Sequence, residues 1–397
     1  MPRTPRVAIV GGGIGGLAAA LALEQRGAET IVCEQSGALS EIGAGLNLTP
    51  NTVKALRSLG LNDAVEGIGY ETDFLNIRNW KSGRFTSRQR RGDYRREFDA
   101  PNLSAHRADL IRILADALKS TDIRLGARCV AVQGNARNAV ARFADGSEIE
   151  ADIVVGADGI HSVVRKSLFG VDAPRFTGCI CWRGMAEAAA LPRDIPVADG
   201  ALWMGPHGHV VHYPVRRGEL INIVAHLDSD AWTEESWTQE CDVSEPMQAY
   251  AEWSPMLTRL FPYSKHWYKW ALYDREPLQA WNQGRATLLG DSAHAMLPYL
   301  GQGAAMAIED GYVLAAMIAR HGGDLDTALA GYERLRVPRS RAAVMGSRAR
   351  AEENHLTSRW ARLKRDLKFA WRDRFGADKT AFQVAWLYGY DVGKECG

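Results

Sequence analysis

Gly11, Gly13 and Gly16 stand between the apolar run 7–10 and a stretch in which Leu17, Ala18, Leu21 and Leu23 recur at helical spacing up to Gly27. Residues 30–34 form a second apolar run that closes on Glu34. Strand, glycine turn, helix, strand and acid in that order predict a dinucleotide site. Glycine lets the backbone approach a pyrophosphate, the helix N-terminus offers free N–H groups and a positive dipole end, and Glu34 can accept from ribose hydroxyls. The turn alone does not separate NAD from FAD. Two further acids, Asp158 in Gly156-Ala157-Asp158-Gly159 and Asp291 in Gly290-Asp291, each follow a buried-strand pattern. In the run 209–213, period-two alternation puts His209, Val211 and Tyr213 on one face and Val210 and His212 on the other. His209 and Tyr213 can therefore share a pocket, and a histidine titrates near operating pH. The plainer reading of either histidine in such a strand is a hydrogen-bonded structural residue, and His294 reads as a brace.

These residues need a scaffold of two domains, which is what 397 residues suggest. Strands are predicted at 6–10, 30–34, 124–132, 138–143 and 151–155, and helices at 51–59 and 107–119. From about 175 to 275 the texture changes to short alternating runs rich in tryptophan (Trp182, Trp203, Trp232, Trp237, Trp253, Trp267, Trp270), which predicts an inserted, mainly antiparallel layer. The first domain resumes at 286–289, helices follow at 302–321 and 327–375, and a short aromatic tail ends at Tyr390. The fold class is α/β: a Rossmann-like nucleotide domain (1–75, 101–174 and 277–345), a β substrate domain (76–100 and 175–276) and a C-terminal helical region (346–397). With 46% hydrophobic residues and a formal charge of +1, disorder and a nucleic-acid partner are disfavoured. Six scattered cysteines supply no metal-ligand spacing, so no metal is expected. No signal peptide or membrane span is read, and a cytoplasmic location is expected.

The glycine turn, the segments 156–165 and 290–294, Pro298, Gly301-Gln302-Gly303, the His106-Arg107-Ala108-Asp109-Leu110 run, and Gly43-Ala44-Gly45 resemble the group A flavoprotein aromatic monooxygenases along the whole chain. That resemblance implies bound FAD with NADH or NADPH as co-substrate and no separate nicotinamide domain. It implies that O2 adds at flavin C4a and that the hydroperoxide delivers one oxygen to an electron-rich ring carbon. It carries Gly11, Gly13, Ile14, Gly15, Gly16, Glu34, Gly45, Arg107, Val130, Asp158, Asp291, Pro298, Gly301, Gln302, Gly303 and Ala304 to the cofactor. Asp291 would accept from the ribityl or ribose hydroxyls, and the helix after Gly301 would aim its N-terminus at the flavin's pyrimidine end. For Asp158 with Arg165, a bracing ion pair is the alternative, and for Asp291 a helix cap.

Trp182-Arg183-Gly184, the segment 208–214 and Tyr273-Asp274-Arg275 resemble the salicylate hydroxylase and 3-hydroxybenzoate 6-hydroxylase branch. The resemblance makes His209 the base for a phenolic proton, with Tyr213 and Pro298 beside the substrate. Met296-Leu297-Pro298 resembles the salicylate enzymes, where 3-hydroxybenzoate 6-hydroxylases carry a glutamine in place of the proline. The expected activity is salicylate 1-hydroxylation with decarboxylation to catechol. The alternatives are 3-hydroxybenzoate 6-hydroxylation, a 6-hydroxynicotinate-type reaction, or a non-catalytic flavin-binding redox protein. The partners expected are a small aromatic acid, O2 and a second copy in a homodimer. The basic stretch from Arg84 to Arg96 reads as a solvated loop, and 359–374 as an amphipathic helix packed on the body or on a second subunit.

Overall fold

The computed structural model describes residues 4–39, 44–171, 173–229, 239–375 and 384–396, so Gly43, Trp232 and Trp237 lie outside the described residues. Five strands make a parallel sheet in the spatial order Ala286–Leu288, Ile153–Gly156, Arg6–Val10, Glu29–Cys33, Asp122–Arg124. The apolar runs of the inner strands, 7–10, 30–33 and 153–155, fit a sheet covered on both faces, and Val7, Ile9, Val154, Val155 and Leu288 are buried. The helix Ile14–Glu24 covers one face and packs on the helix Gly303–His321. A Cβ at Gly311 would stand 2.7 Å from the Ala19 backbone, so this crossing requires glycine opposite alanine.

The strand predicted at 124–132 is two strands. Asp122–Arg124 ends the parallel sheet, the chain turns at Gly126 (φ +71°), and Cys129–Gly134 joins Ala139–Phe143 and Glu148–Ala151 in an antiparallel sheet.

The second large sheet has eight strands in the order Glu240–Cys241, Ser264–Asp274, Arg175–Glu187, Leu220–Asp228, Gly208–Val215, Gly200–Gly205, Phe74–Asn79, Phe85–Arg90. All its pairings are antiparallel except Gly200–Gly205 with Phe74–Asn79. One face buries Trp182, Trp203, Trp253 and Trp267 with Tyr250 and Phe261, so these tryptophans are core. The opposite face looks toward the parallel sheet.

The helix predicted across 327–375 is likewise two, Leu325–Asn354 and Arg359–Phe375, broken at His355. The second lies on the strand Phe85–Arg90, where Asp373 accepts from Ser87 Oγ and Arg88 N, both at 2.8 Å. Its outer face exposes Trp360, Leu363, Leu367 and Trp371. Among the described residues no helix is long and apolar enough to cross a membrane.

Candidate active site

A cavity of about 700 Å³ runs from the Gly11–Gly15 turn, past the helix start at Gly303, to the inner face of the eight-stranded sheet. At its first end Gly11 has φ +113°, and an added Cβ there would meet the Ala157 carbonyl oxygen at 2.3 Å. A Cβ on Gly16 would lie 1.9 Å from the Gly11 carbonyl oxygen, which seats the helix on the turn; Gly16 itself does not line the cavity. A Cβ on Gly13 would meet nothing within 4 Å, because its open side is the cavity. Glu34 accepts from Gly12 N at 2.7 Å and from Ser36 N at 2.8 Å, one bond per oxygen, leaving lone pairs for a ribose.

In the middle, Asp291 and Arg107 face one another across the wall. Burial draws the Arg107 guanidinium down to about 10, with Asp291 opposing that drift and Arg183 adding to it. Asp291 makes no helix cap. Gln302 is fully buried; its Nε2 donates to Thr49 Oγ1 at 2.9 Å and its Oε1 accepts from Asn51 Nδ2 at 3.0 Å. With that side chain turned away, the helix Gly303–His321 starts with no side-chain cap and no acid in its first turn. Its N–H groups and dipole end are left to whatever occupies the space beside Gly301, Gly303 and Ala304. Behind it, Arg336 bonds Glu309 at 2.8 Å and Asp310 at 2.7 Å, all three fully buried. Burial alone would raise both carboxyls, but Arg336 then Arg339 at Glu309, and His294 then Arg336 at Asp310, together outweigh it, and both stay below their ordinary values. His294, 2.6 Å from Asp310, is a brace as expected. A diphosphate cradle, a ribose acceptor and an uncapped helix N-terminus fit FAD along this path.

Asp158 lines the cavity but spends its oxygens on Ser162 Oγ, Val163 N and Val164 N, capping the helix Val163–Phe169. Arg165 reaches the carbonyls of Ser292 and Ala293, tying that helix to the Asp291 turn. Val130 does not meet the cavity: its side chain is about half exposed on the outward face of its strand, while Ala127 and Cys129 line the wall. The period-two alternation that buries Cys129 turns Val130 out.

At the far end the register of three strands builds a grid. His209 opposes His226, which opposes Cys181; Val211 opposes Val224, which opposes Arg183; Tyr213 opposes Asn222, which opposes Met185. His209 and Tyr213 thus stand at two ends of an apolar floor of Val211, Val224 and Leu202. His212 is on the other face, against Trp203, and burial with Arg78 nearby takes it down to about 4. Tyr213 touches the position of Gly45, and burial raises its phenol to about 12, so it is a donor at neutral pH. Arg183 lies over the Trp270 ring at 4.6 Å, and its buried Nε has no hydrogen-bond partner among the described residues.

His209 stacks on His226 with ring centroids 4.4 Å apart, and burial followed by the neighbouring histidines holds its pKa well below the ordinary value. His209 Nδ1 is 2.8 Å from His355 Nε2, and His355 Nδ1 is 2.5 Å from Asp228 Oδ1. Cys179 Sγ lies within 4.8 Å of the same His355 and Asp228. Both His355 nitrogens are already engaged, and burial raises the Cys179 thiol to about 12, so these atoms form a hydrogen-bond chain and not a set of free ligands.

Residues 4–347 match the family model described as FAD binding domain. The 3-amino-4-hydroxybenzoate 2-monooxygenase of Streptomyces platensis is 38% identical over 98% of this chain and 96% of its own. The 3-hydroxybenzoate 6-hydroxylase of Klebsiella oxytoca is 33% identical over 98% of each chain. A solved salicylate hydroxylase substrate complex superposes with a TM-score of 0.84 at 28% identity, covering 99% of this chain and 97% of that one. The chain belongs to the FAD-binding monooxygenase family. As a flavoprotein aromatic monooxygenase it uses FAD, and the Rossmann-like core with its inserted β layer is the family's architecture.

Of the residues expected at this monooxygenase's cofactor, all but Gly16 and Val130 line one continuous cavity with His209, Tyr213 and Pro298. Sequence reasoning missed His226, Tyr299, His355 and Asp228. His226 was within reach, since it alternates with Val224 on a strand of the inserted layer. His355 and Asp228 carry no motif, and Thr357-Ser358 ahead of a periodic run was the one signal of the helix break.

Proposed function

We propose that the enzyme hydroxylates a small aromatic acid whose ring bears an ionisable hydroxyl, 3-amino-4-hydroxybenzoate being the first candidate and 3-hydroxybenzoate the second. The observation that carries this reading is one apolar floor holding a neutral histidine with a free ring nitrogen and an arginine without a carboxylate partner among the described residues. Bound FAD, reduced by NADH or NADPH, supplies the activation of O2. The chain's own residues ready the substrate. His209 Nε2 accepts the ring hydroxyl's proton, which raises electron density on the ring. Tyr213 donates a hydrogen bond, Arg183 receives the carboxylate, and Leu202, Val211 and Val224 keep water from the reacting face. Arg91, Arg350 and Arg372 also line the cavity and favour an anionic ligand.

Salicylate, favoured by Met296-Leu297-Pro298, takes a lower place, because the aminohydroxybenzoate and 3-hydroxybenzoate enzymes are the more similar relatives at 38% and 33% identity. The test is NADH and NADPH oxidation by FAD-loaded protein with these three acids and 6-hydroxynicotinate, with oxygen uptake and product identified together. Turnover of an aminohydroxybenzoate or 3-hydroxybenzoate to a ring-hydroxylated acid supports the reading. Catechol from salicylate as the fastest reaction reverses the order, and no stimulation by any acid removes the substrate class.

A further inference from the structure

His209 is 3% exposed, and the His355 and Asp228 side chains are 10% and 38% exposed, so the two rings and the carboxylate step from the buried floor to the surface. The residues come from three elements, the strands Gly208–Val215 and Leu220–Asp228 and the end of the helix Leu325–Asn354. We propose that His355 and Asp228 form a relay that carries the substrate's hydroxyl proton from His209 to solvent. The proposal rests on the phenolic substrate argued above.

The tautomers follow from the surface end inward. An ionised Asp228 can only accept, so His355 Nδ1 donates to it, which leaves His355 Nε2 as an acceptor. His209 Nδ1 must then donate to His355, and Nε2 of His209 is the lone pair left for the substrate. When the substrate O–H bond breaks, its proton goes to His209 Nε2, the Nδ1 proton moves to His355 Nε2, and the His355 Nδ1 proton passes to Asp228 and on to water. The substrate keeps the electron pair as phenolate, and both rings end neutral with reversed tautomers. Protonation of the product by the reverse movement restores them. A relay is needed because an imidazolium at His209 would lie buried against the His226 ring with no carboxylate in contact among the described residues.

Other titratable groups around the chain are Tyr299 and Cys179, joined at 3.5 Å, His207, 3.7 Å from Asp228 Oδ2, and Arg183, which acts on His226. His355 and Asp228 are positioning residues, and their test reads the proton itself. FAD-loaded enzyme, oxidised and without NAD(P)H, is mixed with 3-hydroxybenzoate in weakly buffered phenol red, and phenolate absorbance is followed in parallel. Proton release is expected to be slowed about tenfold or more in His355→Gln and in Asp228→Asn and restored by added imidazole, with affinity for the pre-ionised ligand unchanged. Release at the wild-type rate in both variants, or slowed release without imidazole rescue, overturns the relay. ¹⁵N-histidine NMR of the ligand-free holoenzyme reads the tautomers directly: Nδ1–H at both rings is expected, and Nε2–H at either overturns the proposal whatever the substrate. The expected tautomers with no phenolic acid bound at any pH would sink the substrate reading alone.

Discussion

Gly45→Ala tests whether the cofactor wall and the substrate floor share one contact. Gly45 N donates to Asn222 Oδ1 at 3.0 Å, so its backbone is pinned to the sheet. An ideal Cβ at this position lies 2.7 Å from Asn222 Cγ and from Tyr213 Cε2, and 2.8 Å from the Tyr213 oxygen. Carbon atoms rest about 3.5–4.0 Å apart, so the neighbours must give way by roughly 0.8 Å or more. Asn222 is held by the very bond that Gly45 makes, and Tyr213 lies in a strand paired on both sides, so the ring must yield toward the cavity. Overpacking of this kind costs about 1–3 kcal/mol. If that strain falls on the bound substrate, kcat/KM drops by about 5- to 150-fold. The assay is kcat/KM with the best aromatic acid, together with FAD affinity and thermal stability, in Gly45→Ala, Tyr213→Ala and the double variant. In the Tyr213→Ala background the added methyl should cost less than in wild type, because only the Asn222 contact remains. Full additivity, or unchanged kcat/KM in Gly45→Ala, would refute the reasoning.

Gly13→Ala is the complementary case: with nothing within 4 Å of the new Cβ, the apoprotein should melt as wild type while FAD affinity falls about tenfold or more, read by flavin fluorescence. Arg183→Gln should raise KM for the aromatic acid about tenfold while leaving binding of the corresponding carboxamide unaffected, as measured by flavin spectral titration. Arg336→Met takes from the buried Glu309 and Asp310 the cation they share, leaving Arg339 at one and His294 at the other, and should cost about 3 kcal/mol in urea unfolding. Both carboxyls lie below their ordinary values in the fold, so their stabilisation is present above the unfolded values near 4 and is lost as pH falls through the folded ones. Acid unfolding should therefore begin at higher pH in Arg336→Met than in wild type.

The cofactor half of the site was legible because its demands are local. A glycine turn, an acid at a strand end and a helix start each occupy a few consecutive residues, and Gly11, Glu34, Asp291 and Gly303 fall where their spacing puts them. The face shared by His209 and Tyr213, and the opposite one of His212, followed from strand periodicity alone. By the same rule the Val130 side chain points away from the cavity, since its neighbour Cys129 is the inward residue. The partners of His209 were hidden for a different reason. His355 is 146 residues away, and it faces the sheet because the helix stops at Asn354, a tertiary fact that a basic, helix-rich stretch does not announce.

That arrangement bears on how such enzymes can be recombined. The floor residues His209, Val211, Tyr213, Val224 and Arg183, and Asp228 with them, all belong to the inserted sheet, which looks like an exchangeable cassette. His355 does not: it ends the helix whose other half, through Arg336, braces the cofactor's helix. A chimera that transplants residues 175–276 from a relative would bring a new pocket and keep the old proton acceptor. Its compatibility would be decided by whether the recipient's residue at position 355 can hydrogen-bond the donor's histidine.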